Sequence, residues 1–302
     1  MKKWTKIVLG IGIGASLAGA GLAGVGLATG GLTKLNQKYE VKAKIKHHKA
    51  TLETFDKIDI NATAFDVTIA KENIDKPFIS YSDSKKLPVS YQVTKDGTLA
   101  VKQTGSWNGN HRSSINLISL ADLINLAKTG TVTNKHTIII SVPENTDIQS
   151  IKTNLKVGDL QVKNIHADYA NIELNAGDLD FTNCAFKSGK STLSVGDAYF
   201  QDSDFTNFSL TTNTGDIDIE NGKLTDSSIN LSIGDFSANA ISFEGINNLS
   251  NSTGDIDITL ADKNLTVQSS HSMGDSDISS SLIPSTKNIL KVDGNTGDIT
   301  IN

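Results

Sequence analysis

The sequence predicts an all-β protein: a single-chain β-solenoid (β-helix) of about 19-residue coils, preceded by one N-terminal transmembrane helix. Three observations carry that reading. The dipeptide Gly-Asp occurs eight times, all after residue 157, at spacings of 19, 19, 19, 19, 20, 20 and 23 residues. The residues that follow each Asp alternate apolar and polar, which is the period of a strand. Residues 7–33 carry no charge.

The N-terminal element comes first. Lys2, Lys3 and Lys6 precede an uncharged run of 27 residues, which as a helix would measure about 40 Å against a bilayer core of about 30 Å. The run holds nine glycines, with Gly10/Gly14 and Gly26/Gly30 at GxxxG spacing. So many glycines weaken a helix in water, but lipid leaves the backbone no better option. Residues 1–33 are therefore read as a signal anchor or transmembrane helix. A cleaved signal peptide is the alternative, since Ala23 or Ala28 could precede a cleavage site. No Cys follows the run, which argues against a lipoprotein anchor.

Residues 34–53 are read as a Lys-rich juxtamembrane stalk carrying Lys34, Lys38, Lys42, Lys44, Lys46 and Lys49. Lysine counts alone would favour the reverse topology, but long domains translocate largely regardless of charge. The expected localisation is thus the cell membrane, single-pass, with the C-terminal body extracellular. His47–His48 is an adjacent pair without sequence partners, and a solvated pair is the plainer reading than a metal site.

Residues 54–150 are read as strand-rich opening coils and a cap. Ala64-Phe65-Asp66-Val67-Thr68-Ile69 resembles a degenerate copy of the repeat, and further strands are expected at 78–82, 88–93, 98–103 and 137–142. Asp96-Gly97 marks a hairpin turn. The insertion 104–135 interrupts this half. Ser119 and Asp122 can cap a short helix with Leu120, Leu123, Ile124 and Ala127 on one face, expected to act as a lid or as a partner contact.

Residues 151–302 are the Gly-Asp repeat. Its structural positions are Gly158/Asp159, Gly177/Asp178, Gly196/Asp197, Gly215/Asp216, Gly234/Asp235, Gly254/Asp255, Gly274/Asp275 and Gly297/Asp298. Leu160/Val162, Leu179/Phe181, Ala198/Phe200, Ile217/Ile219, Phe236/Ala238, Ile256/Ile258 and Ile299/Ile301 would share the inner face. Ser276 alone breaks that row, and His271 occupies a position that is usually apolar. A coil of this length is too short for a helix pair or a propeller blade. One coil cannot bury its apolar row, whereas stacked coils can. Gly supplies a bend that a Cβ would resist, and Asp is expected to accept nearby backbone N–H groups. A divalent-cation row is the sharper alternative, helped by Asp178/Asp180, Asp216/Asp218, Asp255/Asp257 and Asp275/Asp277, although the Gly-rich nonapeptide of calcium solenoids is absent. The final strand, 299–301, is expected to leave an open edge for self-association.

Composition removes several functions. Residues 1–49 hold nine lysines against the single acid Glu40, while the rest of the chain holds 19 basic and 32 acidic residues. An acidic body argues against nucleic acid as a partner. The single Cys184 excludes an intrachain disulfide framework and a CxxC redox pair. His111, His136, His166 and His271 are scattered, and no Ser/His/Asp or Cys/His constellation stands out. No catalytic residue, cofactor or metal is expected, and the chain is not read as an enzyme.

The membrane segment, the strand-rich lead ending in Ser141-Val142-Pro143 and the serial Thr/Ser-x-Gly-Asp-Ile-x-Ile units resemble the bacterial β-strand-repeat "putative adhesin" family, a domain of unknown function. The resemblance covers about residues 54–302, and the insertion 104–135 departs from it. It implies a β-solenoid at the cell envelope, adhesin-like or envelope-sensing, with cell-wall polymer, glycan or an envelope protein as partner. A structural surface spacer and a polysaccharide-acting β-helix enzyme are the alternatives.

Overall fold

The computed structural model describes residues 45–103 and 136–302. The predicted transmembrane helix 1–33 and the insertion 104–135 fall outside the described residues. Within them the protein is all-β: 26 strands and no helix.

One coil illustrates how the repeat folds. Leu179–Thr182 forms the first strand, Ala185–Phe186 the second and Gly189–Val195 the third. Asn183, at φ 52, turns the chain after the first strand, and Gly196, at φ 142, turns it after the third. The Asn183 corner is shared by Asn164, Asp202 and Asn221, whose φ values lie at 56, 51 and 52. Asn and Asp tolerate this left-handed conformation better than other side chains. The Asn183 amide also donates to the Asn164 side-chain oxygen at 2.9 Å, so the corners are linked between coils.

Successive coils stack in parallel register. Leu179 faces Ala198, Ala198 faces Ile217, Ile217 faces Phe236 and Phe236 faces Ile256. The predicted inner row is buried throughout, from Leu160 to Ile301, with Ser276 the exception. Aromatic side chains fill the middle coils: Phe181 stacks on Phe200 at 5.1 Å, and Phe205 on Phe208 at 5.1 Å.

The opening half stacks on the same axis. Lys57–Ala62 and Asp66–Glu72 form a first coil that pairs in parallel with Ile148–Leu155 and Leu160–Lys163, so Val67 faces Leu160 and Ile60 faces Thr153. The degenerate copy at 64–69 is therefore a true coil. The expected strands appear as Phe78–Asp83, Val89–Val93, Thr98–Gln103 and Thr137–Pro143. Gly97, at φ 80, closes the predicted hairpin by donating its N–H to the Thr94 carbonyl at 3.0 Å.

Two expectations are corrected here. Part of the predicted stalk is strand: Lys46–Thr51 pairs antiparallel with Phe78–Asp83 at the sheet edge. His47 Nδ1 lies 2.6 Å from Ser82 Oγ, His48 stacks on Tyr81 at 4.7 Å, and Lys49 Nζ sits 3.8 Å over the Phe78 ring. Lysines on an exposed edge suit a strand that must not recruit neighbours at random. The second correction concerns order. Ile299–Ile301 is no open edge, because it pairs with Ile256–Leu260 on one side and Ser276–Ile278 on the other. Ile289–Thr296 is likewise held between Ile246–Thr253 and Thr266–Met273. The chain overshoots by one layer at 266–278, returns, and slides its last coil beneath. Residues 266–278 are thus the terminal layer. That explains the polar inner residues: Ser269, His271 and Ser276 are exposed because no further coil covers them.

Candidate functional site

The Gly-Asp corner is built by close approach. A Cβ on Gly215 would lie 2.0 Å from the Gly196 carbonyl oxygen, and one on Gly254 would lie 1.9 Å from that of Gly234. Equivalent contacts of 1.9–2.1 Å occur at Gly158, Gly177, Gly196, Gly234, Gly274 and Gly297. Each coil therefore needs glycine because of the carbonyl stacked against it, as well as for its φ near +140. The first coil carries Phe65 at this corner, and what lies on its far side is the strand Thr137–Pro143, not another Gly-Asp coil.

The aspartates do not bond locally, as the sequence suggested. Each carboxylate but that of Asp275, in the terminal layer, accepts the backbone N–H of the adjoining coil's Asp. Asp159 N donates to Asp66 Oδ1 at 3.2 Å, Asp178 N to Asp159 Oδ1 at 3.0 Å, and Asp216 N to Asp197 Oδ1 at 2.8 Å. The series follows the spatial order at the end: Asp298 donates to Asp255, and Asp275 to Asp298, both at 2.8 Å. A charge-assisted bond per coil offsets the cost of stacking like charges. The eight Gly-Asp pairs are thus brought together as one continuous ladder, extended by Asp66, and their role is structural.

Beside the ladder the outer face carries Gln161, Asp180, Tyr199, Asp218, Ser237, Asp257, Thr300 and Asp277 in register. Asp180 is held by Gln161 Nε2 at 2.8 Å and Thr182 Oγ1 at 3.0 Å. Burial raises the Asp218 carboxyl above the ordinary carboxylate range, and neighbouring Asp216 adds to the rise. Tyr199 donates to Glu220 at 2.9 Å, a bond that raises its hydroxyl pKa. Among the described residues no group of three His, Cys, Asp or Glu side chains is placed to hold a metal ion.

The second long face carries a different row: Asn61, Asn154, Glu173, Thr192, Thr211, Asn230, Ser250, Asp293 and Ser270. It offers hydroxyls, amides and the carboxylates of Glu173 and Asp293 at one strand spacing, about 4.8 Å apart; Glu173 accepts from Asn154 at 2.9 Å and Asp293 from Ser270 at 2.8 Å. Sequence reasoning anticipated outward polar residues but did not single out this row. The signal was available in the position four residues before each Gly.

Other sequence candidates stay apart. His136 is half-buried, 3.2 Å from Ser84 Oγ, and burial lowers its pKa. His166 and His271 are exposed on different coils, and His111 lies outside the described residues. Cys184 is a buried free thiol whose pKa burial pushes up to about 12. A recess of about 740 Å³ near the first coil is lined by residues such as Leu52, Phe55, Pro77, Pro143, Glu53 and Lys76.

A stack of Gly-Asp coils with repeating rows on its faces defines a class: a β-solenoid whose chemistry is spread along its length. The chain belongs to the Toastrack DUF4097 family, whose model matches residues 55–302. Among solved structures it resembles a protein described as a putative adhesin from Bacteroides fragilis, at 15% identity and a TM-score of 0.50, covering 86% of this chain and 97% of that one. A second, described as a putative adhesin from Parabacteroides distasonis, gives 10% identity, a TM-score of 0.48 and coverage of 85% and 97%. The first of these likenesses speaks to fold alone. Comparison with curated proteins finds no match.

Proposed function

We propose that the chain is a membrane-anchored, externally exposed binding module of the cell envelope, adhesin-like, that holds an extended polymer along its polar row. The observation that carries this reading is the Asn61–Ser270 row, nine hydrogen-bonding side chains in register on one face. A regular row suits a repeating ligand, such as cell-wall polysaccharide, better than a single reacting bond, which calls for an irregular cluster in a cleft. The uncharged run at 7–33 supports anchoring. The adhesin description of the Bacteroides fragilis protein accords with a surface role.

The test is retention of the full chain, in mild detergent, on insoluble cell-wall material. Replacing Thr192, Thr211 and Asn230 together with Ala removes three row donors worth about 0.5–1.5 kcal/mol each. Retention then falls at least tenfold while the melting temperature stays put. No retention of the unaltered chain would leave a structural spacer. Release of soluble sugar from the wall material would make it an enzyme. Protease added to intact cells should cut the body; a protected body would overturn the external placement.

A further inference from the structure

Among the described residues, the sheet that bears the Asp ladder ends in two unpaired edges of opposite charge. At one end of the sheet bearing the Asp ladder, among the described residues nothing pairs with the outer side of Lys46–Thr51. This strand carries Lys46, His47, His48 and Lys49, all exposed. At the other end, again among the described residues, nothing pairs with the outer side of Ser276–Ile278, which carries Asp277 and follows Asp275.

The acidic end has unfilled bonding groups. In inner coils the amide after each Asp donates to the adjoining coil, as Ile217 N does to Asp235 O at 3.0 Å and Ile299 N to Asp275 O at 2.9 Å. The matching amide of Ser276 has no such acceptor among the described residues. Nor does the Asp275 carboxylate receive the backbone N–H that Asp66, Asp159, Asp197 and Asp298 each receive.

Strand direction fits as well. Lys46–Thr51 runs antiparallel to Phe78–Asp83, which runs antiparallel to Thr137–Pro143, which is parallel to Asp66–Glu72 and so to the rest of that sheet. Two reversals make Lys46–Thr51 parallel to Ser276–Ile278. A second copy shifted along the stack would therefore lay its basic edge on the acidic edge in parallel, continuing the ladder.

We infer that copies of this chain associate head to tail, the strand Lys46–Thr51 of one adding to Ser276–Ile278 of the next. Lys49, on the outer face of its strand, then lies beside Asp275 and Asp277, while Lys46, on the opposite face, adds to the positive charge of the same edge. Edge addition supplies main-chain hydrogen bonds, and opposite charges set the partner and the direction. The contact is heterologous, so it propagates as a filament unless it closes into a ring.

The test uses the full chain in mild detergent, followed by sedimentation velocity. At about 0.05 M salt the mean mass rises with concentration. At about 0.5 M salt the concentration for half-assembly rises at least tenfold, because exposed charges are screened. Lys46→Glu with Lys49→Glu leaves a monomer, as does Asp275→Lys with Asp277→Lys. The chain carrying all four changes assembles again, which also shows that the substituted edges fold. A wild-type chain that stays monomeric, a fourfold variant that fails to reassemble, or a Lys-to-Glu variant that still dimerises would overturn the inference. The last result would place the contact tail to tail or in residues 1–44.

Discussion

Replacing Gly215 with Ala puts a methyl carbon 2.0 Å from the Gly196 carbonyl oxygen, on a backbone held at φ +138. The conformation alone costs an L-residue about 1–3 kcal/mol. The overlap must then be relieved by parting the coils. Two bonds hold them there, Gly196 N to Thr214 O at 3.0 Å and Asp216 N to Asp197 Oδ1 at 2.8 Å. Losing both removes about 2 kcal/mol more. The stiffer unfolded chain returns about 0.4–1 kcal/mol. The net is a destabilisation of roughly 2–4 kcal/mol, read as a fall in the urea midpoint of about 1 M or more. Gly294→Ala is the control. Its Cβ meets no backbone atom, its nearest neighbours being Ile299 Cδ1 at 3.1 Å, Ile299 Cγ1 at 3.5 Å and His271 Cβ at 3.8 Å, so the cost stays below about 1 kcal/mol. Equal midpoints for the two variants would refute close carbonyl approach as the reason for the repeat's glycine.

Three more outcomes follow from the geometry. Asp197→Ala loses the acceptor for Asp216 N and is destabilised by about 1–2 kcal/mol in chemical denaturation, whereas Asp197→Asn keeps the oxygen and melts near the wild type. Because burial raises the Asp218 carboxyl, the folded state holds that proton more tightly than the unfolded chain, and the ionised form costs stability above the folded pKa. Asp218→Asn should therefore melt above the wild type at pH 7, with the gap closing as pH falls through the folded and then the ordinary carboxylate pKa. The Cys184 thiol, pushed up to about 12, should not react with an aromatic disulfide reagent at pH 8 in the folded protein and should react fully in denaturant; prompt reaction of the native protein would contradict its burial.

What the sequence made legible is what each coil repeats for itself. The Gly-Asp spacing located the corners, and the Leu160/Val162 type of alternation located the inner face. What stayed hidden depends on which coil lies against which. A 19-residue period cannot say whether an Asp bonds its own bend or the coil stacked on it, and the second proved true. Nor could it reveal that Ile299–Ile301 slides between Ile256–Leu260 and Ser276–Ile278. The trace was there: Ser276 is polar where every stacked coil is apolar, as a terminal layer requires. Lys46–Thr51 reads as stalk because the charges that protect an edge strand also erase its apolar alternation. The polar row was visible only as scattered Asn, Ser and Thr, since register gives it meaning.

The order of the last coils is the claim most open to direct test. Asp257 faces Thr300, and Thr300 faces Asp277, so Thr300 lies between the other two. Neighbours in this ladder are about 4.8 Å apart, within the span a disulfide bridges, and next-but-one positions are about 9.6 Å apart, beyond it. Under mild oxidation, Asp257→Cys with Thr300→Cys should crosslink within the folded chain, and Asp257→Cys with Asp277→Cys should not. Ready closure of the 257–277 pair, with 257–300 left reduced, would mean that the coils stack in sequence order and would contradict the intercalated end.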